Sequence, residues 1–229
     1  MMQYRSNGCL DSVPPVTKNI IVINVFVLIF CELRPEFMYS TFSLFYPASH
    51  YFHWWQPLTH MFMHGGFWHI FFNMYTLFLF GSVLERVWGP KKFLIFYFVT
   101  GLGAAALHTG VQAIQASVLI RQIAENVPGA VAALQQLYVT PTVGASGAIY
   151  GLLVGYAMLY PENRLTLLFP PVTLTAKWMV IIFIIIELLT GIFGRAVDIA
   201  HFAHLGGALF GWLLILYWKR KGRMYDYEQ

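Results

Sequence analysis

The sequence predicts an all-α fold, a polytopic membrane protein built as a bundle of six transmembrane helices. Three observations carry this. Hydrophobic residues fill 58% of the 229 positions and charged residues only 10%, whereas a soluble domain carries roughly 25% charged residues. The mean hydropathy is +0.62. Several apolar runs approach or exceed the ~18–20 residues that cross a bilayer as a helix, and polar or Gly/Pro-bearing turns separate them. The net charge of +4 does not point to nucleic acid, because the basic residues lie scattered between apolar runs and not on one face. Two cysteines, Cys9 and Cys31, are too few for a disulfide framework.

Residues 1–18 read as a polar N-terminal tail with Pro14 and Pro15, and no cleavable signal peptide is expected, since the first apolar run follows directly. The membrane domain occupies 19–218. Its first span runs from about Asn19 to Leu33 and is bounded by Glu32, Arg34 and Glu36. The aromatic connection 35–56, with His50, His53, Trp54 and Trp55, suits the membrane–water interface. A second span, about Pro57 to Leu84, carries His60, His64, His69 and Asn73, and ends in the charged turn Glu85-Arg86-Val-Trp-Gly-Pro-Lys-Lys92. The third runs from about Phe93 to Leu107. In the more polar stretch 109–140, Val111, Ile114, Val118, Arg121 and Glu125 recur at helical spacing, which suggests an amphipathic surface helix. The fourth span is about Val143 to Tyr160, stopped by Pro161; the fifth is about Trp178 to Ile192, and the sixth about Ile199 to Trp218. A basic tail, 219–229, closes the chain. Six spans place both termini on one side, and that side holds eleven of the fourteen basic residues, so the termini are assigned to the cytoplasm. A bacterial inner membrane is the expected location.

Counting up each helix from its cytoplasmic end at about 1.5 Å per residue gives the depth of the polar side chains. Ser146 lies fifteen residues before Pro161 and His204 fifteen before Lys219, so both come out at about 22 Å. His69 and Asn73 come out at about 24 and 18 Å. In a hydrocarbon core about 30 Å thick all four share one layer, where polar groups are expensive and mark function. A serine that meets a histidine there suggests a nucleophile and its general base. Ser146 also opens the run Gly147-Ala-Ile-Tyr-Gly151-Leu-Leu-Val-Gly155, so it sits where helix N–H groups lack partners and favour developing negative charge. His69 and Asn73, one turn apart, could donate to that oxyanion. Tyr150, one turn after Ser146, could pack against the histidine. Taken alone, the same serine stretch also fits a small-residue packing seam. No acidic third member is expected: Asp198 lies nearer the outer edge, and Glu187 reads as a buried structural carboxylate. A Ser146–His204 dyad is the expectation.

At this point the chain resembles the rhomboid family of intramembrane serine proteases. The resemblance is carried by Gly144-Ala-Ser-Gly147, by His60-Met-Phe-Met-His64 followed by His69 and Asn73, by Glu85-Arg86-Val-Trp-Gly89, and by Ala203-His204-Leu-Gly-Gly207 followed by Gly211. It covers about residues 50–218. It implies a rhomboid-like six-helix bundle with Ser146 as nucleophile and His204 as base. His69, Asn73 and the Ser146 backbone would form an oxyanion hole, with Tyr150 and Gly144 in support. It also implies a site without metal or other cofactor, filled with water and opening outward. The substrates implied are membrane proteins, single-span or polytopic, cut near the outer end of a transmembrane segment at a small residue. The connection 109–140 is longer than in the shortest members, and the first span is short.

Three other classes stay open on sequence grounds. A catalytically silent rhomboid-like protein would bind membrane clients, although such proteins typically lack the serine or histidine that this chain has. A metal or haem protein could draw on His60, His64, His69, His201 and His204, but that reading leaves Ser146 and Asn73 without a role. A transporter would be expected to show a repeat between its halves, and none is visible.

Overall fold

A computed structural model describes residues 13–167, 171–193, 200–222 and 224. The chain is helical almost throughout, with α1 at Pro15–Leu33, α2 at Pro35–Phe42, α3 at Gln56–Thr59 and α4 at Phe67–Thr76. A wider helical segment, Leu77–Gly81, joins α4 to α5, Ser82–Ala124. Then come α6 (Ala130–Val139), α7 (Ser146–Leu159), a two-stranded hairpin (β1 Arg164–Thr166, β2 Thr173–Thr175), α8 (Ala176–Phe193) and α9 (Ala200–Arg220). Four segments among the described residues are long and apolar enough to cross a membrane: Pro15–Leu33, Phe67–Ala124, Ala176–Phe193 and Ala200–Arg220. Ser146–Leu159 is a shorter apolar helix.

The run Phe67–Ala124 holds two spans, because the chain reverses at Gly89 (φ 76°, ψ 163°) ahead of Pro90. A side chain at Gly81 would meet the Phe93 ring at 3.2 Å, whereas twelve residues of straight helix would separate them by about 18 Å. The second span starts at Phe67 and not at Pro57. Gly66, at φ 128°, breaks the helix there and leaves His60 on a separate short turn and His64 in the irregular stretch that follows it. The surface helix expected in 109–140 is instead a helical hairpin. α5 continues unbroken to Ala124, the chain turns at Gly129 (φ 85°), and α6 returns to bury Leu137 against Ala116 and Leu119. The hairpin β1–β2 was not anticipated, since three-residue strands leave too little alternation to read.

The centre of the bundle is α5, α7 and α9 packed on one another. Trp88, Phe93, Phe96, Tyr97, Leu152 and Ile215 fill it. The outer helices α1 and α8 turn Val22, Phe26, Phe30, Ile181, Ile185 and Leu189 outward, which is the face an apolar span offers to lipid. Between α7 and α9 the backbones touch, since a Cβ at Gly207 would fall 1.8 Å from the Gly147 carbonyl oxygen and one at Gly211 3.0 Å from Gly151 Cα. The glycines at four-residue spacing therefore do form a packing seam, and that seam brings the start of α7 up to the start of α9.

Glu85, read from the sequence as part of a charged turn, is buried instead and holds α1 in place. Its carboxylate accepts from the Val16 N–H at 2.9 Å, the Thr17 N–H at 2.7 Å and the Thr17 hydroxyl at 2.8 Å. An anion at a helix N-terminus satisfies donors that have no partner in their own helix and matches the dipole. Glu85→Ala is expected to lower stability by about 2–3 kcal/mol, the scale of losing hydrogen bonds to a charged group, and unfolding in detergent would measure it.

Candidate active site

The loop before α7 is held from two sides. Leu44 and Thr142 exchange backbone hydrogen bonds of 2.9 and 2.8 Å, and the Gly144 N–H donates to the His60 carbonyl at 3.0 Å. Thr142 Oγ1 lies 2.8 Å from His108 Nε2 on α5. Buried Gln56 ties the outer connection together, donating to the Tyr51 carbonyl at 2.8 Å and accepting from the Phe45 N–H at 3.3 Å. The long aromatic connection thus anchors the irregular stretch 140–145 from which Ser146 emerges. Gly144 sits at φ 129°, and a Cβ there would lie 2.9 Å from His69 Nε2 and 3.5 Å from Ser146 Oγ. Glycine at this position lets the His69 ring come up beside the serine.

Ser146 is the first residue of α7, and its Oγ lies 2.8 Å from His204 Nε2 on α9. The Tyr150 ring stacks on the His204 ring at 4.4 Å with 7° between planes. His69 projects from α4, and its Nδ1 accepts from the Gly65 N–H at 3.3 Å. With Nδ1 an acceptor, the proton of the neutral ring resides on Nε2, the atom that faces Gly144 and Ser146. The Asn73 amide donates to the His69 carbonyl at 3.0 Å and so lies one turn further along α4, without a hydrogen bond to Ser146. His64 is buried with its ring edge-on to His69 at 5.0 Å. Of the four residues that counting put in one layer, Ser146, His204 and His69 come together, with Tyr150 and Gly144 beside them, while the Asn73 amide turns to the His69 carbonyl.

Glu187, read from the sequence as a buried structural carboxylate, is buried and lies directly beside the dyad. Its Oε1 lies 2.9 Å from His204 Nδ1 and also accepts from the Tyr150 hydroxyl, while its Oε2 lies 2.5 Å from His201 Nδ1. The contact with His204 is at ion-pair distance but lacks the alignment of a hydrogen bond. His201 Nδ1 is also 3.2 Å from Thr190 Oγ1. The counting argument does not single out Glu187. It stands ten residues above Lys177 on α8, so at about 15 Å, several ångströms below the layer at about 22 Å. Asp198, the other acidic candidate, lies outside the described residues. Glu187, His201 and His204 bring one ligand atom each within 4.8 Å of one another, the spacing a metal ion needs. In the structure these atoms face one another directly, and neither His60 nor His64 joins them.

A helical membrane bundle with a serine hydroxyl on an imidazole at the mouth of a buried helix defines the class of protein. The family model described as Rhomboid domain matches residues 51–221. The chain belongs to the rhomboid family. It is 32% identical to the mitochondrial presenilin-associated rhomboid-like protein of Bos taurus, over 94% of this chain and 52% of that one. It is 29% identical to rhomboid protease AarA of Providencia stuartii, over 70% and 54%. The human mitochondrial presenilin-associated rhomboid-like protein is 30% identical over 87% and 49%. The chain spans about half the length of these curated relatives.

Proposed function

We propose that this chain is an intramembrane serine endopeptidase that cuts membrane proteins near the outer end of a transmembrane segment, with Ser146 as nucleophile and His204 as general base. The observation that supports this most is the 2.8 Å contact of Ser146 Oγ with His204 Nε2, inside a protein of the rhomboid family. Ser146 Oγ attacks the scissile carbonyl carbon while its proton passes to His204 Nε2. The carbonyl oxygen becomes an oxyanion beside the start of α7. There the Ser146 N–H and the His69 Nε2–H are the available donors, and Asn73 reaches the oxyanion only if its amide leaves the His69 carbonyl. As the tetrahedral species collapses, His204 gives its proton to the leaving amine. Water, deprotonated by the same imidazole, then releases the acyl group from Ser146. The irregular backbone at 140–145 is tolerated at this depth by lining a water-filled cavity. Both termini face the side richer in Lys and Arg. The apolar helices and the Rhomboid match support an integral membrane location, and relatives from mitochondrial and bacterial sources do not favour the bacterial inner membrane over the mitochondrial one.

A fluorophosphonate probe incubated with the purified protein in liposomes is expected to label Ser146, as peptide mapping would locate. Addition of EDTA is expected to leave both labelling and cleavage of a single-span substrate unchanged. Labelling elsewhere, or loss of cleavage on chelation with recovery on adding zinc, would overturn the serine mechanism.

A further inference from the structure

We infer that Glu187 is a positioning residue for His204, a carboxylate that orients the imidazole and stabilises its protonated form as Ser146 attacks. This rests on the assignment of Ser146 and His204 above. α8 is otherwise apolar over the stretch Trp178–Leu189, and a carboxylate in such a helix is costly unless it is paired. Among the described residues, the partners of the carboxylate belong to the site or to its support. Oε1 takes the Tyr150 hydroxyl and lies 2.9 Å from His204 Nδ1; Oε2 lies 2.5 Å from His201 Nδ1. Tyr150 thus touches His204 twice, once by stacking its ring and once through the carboxylate that its hydroxyl holds.

The chemistry explains why that charge matters. His204 can accept the serine proton at Nε2 only if its own proton sits on Nδ1. A carboxylate beside Nδ1 favours that tautomer over the reverse. When Nε2 takes the proton the ring becomes an imidazolium, and an anion at 2.9 Å offsets the new charge. The N–H is not yet aimed at Oε1 in the free protein. Catalytic hydrogen bonds are often loose in that state and tighten with substrate, and a small rotation of the ring completes this one. His201 holds the far oxygen and is itself met by the Thr190 hydroxyl at 3.2 Å, so the carboxylate is fixed while the ring adjusts.

The test is the full chain in liposomes, with Ser146→Ala run beside Glu187→Gln and Glu187→Asp. Gln is nearly isosteric and keeps an oxygen for Tyr150 but carries no charge. Glu187→Gln is expected to lower kcat by about 10²-fold, in the range of a general acid–base contribution, with KM within about twofold of wild type. Fluorophosphonate labelling of Ser146 should slow by a similar factor. Glu187→Asp, which restores the charge, should recover a large part of kcat. A merely structural Glu187 would give Glu187→Gln either the wild-type kcat or a loss that Asp does not rescue, and either result overturns the inference. If Ser146→Ala cuts as well as wild type, the underlying assignment fails instead. An inactive Ser146→Ala beside a fully active Glu187→Gln would leave that assignment standing and refute this one.

Discussion

Ser146→Ala is expected to reduce cleavage of a single-span substrate in liposomes by at least roughly 10⁴-fold, with His204→Ala reducing it about as far and the double variant no further. Residues that act in one step are not additive, because the first loss already removes the pathway that the second would damage. Folding should not account for the result. The serine substitution deletes a single hydrogen bond of 2.8 Å, worth about 1 kcal/mol, and it leaves the glycine seam and the Tyr150 stack in place. His204→Ala is the harsher change, since it also empties the face of Tyr150 and takes a partner from Glu187. Ser146→Ala is therefore the cleaner variant. Cutting by wild type alone, near the outer membrane edge, is the expected outcome. Equal cutting by both would mean that the nucleophile lies elsewhere. No cutting by either, with the substrate co-purifying, would make this chain a client-binding member of its family.

The parts legible in the sequence were those governed by helix periodicity and depth. Apolar runs marked the helices, and residue counts placed Ser146, His69 and His204 in one layer, because an α-helix advances by a constant rise. Depth alone does not settle rotation about the helix axis. Asn73 was grouped with the oxyanion donors on depth, yet its amide turns back to the His69 carbonyl. The same limit hid Glu187. Its count placed it below the layer, and whether it faced lipid or α9 depended on how α8 packs, which no local pattern reports. The start of the second span went wrong where a glycine intervenes. Gly66 adopts positive φ, and whether a glycine continues or ends a helix depends on a conformation that its lack of a side chain leaves undecided; at Gly89 the neighbouring Pro90 made the break legible. Glu85 was misjudged for another reason. A charge beside a Gly-Pro turn normally marks solvent, and only the arrival of α1, some seventy residues earlier in the chain, makes it an internal cap.

The glycine seam gives the second large expectation, because it sets the distance between nucleophile and base. Gly207→Ala would place a methyl group 1.8 Å from the Gly147 carbonyl oxygen and 2.6 Å from its carbon. The atoms in the way are backbone, so no side chain can swing aside, and α7 and α9 must separate by an ångström or more. Overpacking of this kind costs about 1–3 kcal/mol. The change should cost function as well as stability. Ser146 directly precedes Gly147, and His204 lies one turn before Gly207, so spreading the helices at this point lengthens the Ser146–His204 contact itself. A misplacement of about 1 Å can cost roughly 10²-fold in rate, and a loss of that size is expected for Gly207→Ala even under conditions where the protein stays folded. Gly110→Ala is the control. It lies within α5 with no atom inside 4 Å of the added methyl, so it should gain up to about 1 kcal/mol from helix propensity and cut at the wild-type rate. Near-normal cleavage by folded Gly207→Ala would show that the close approach of α7 and α9 serves packing alone and that the serine–histidine distance is held by other contacts.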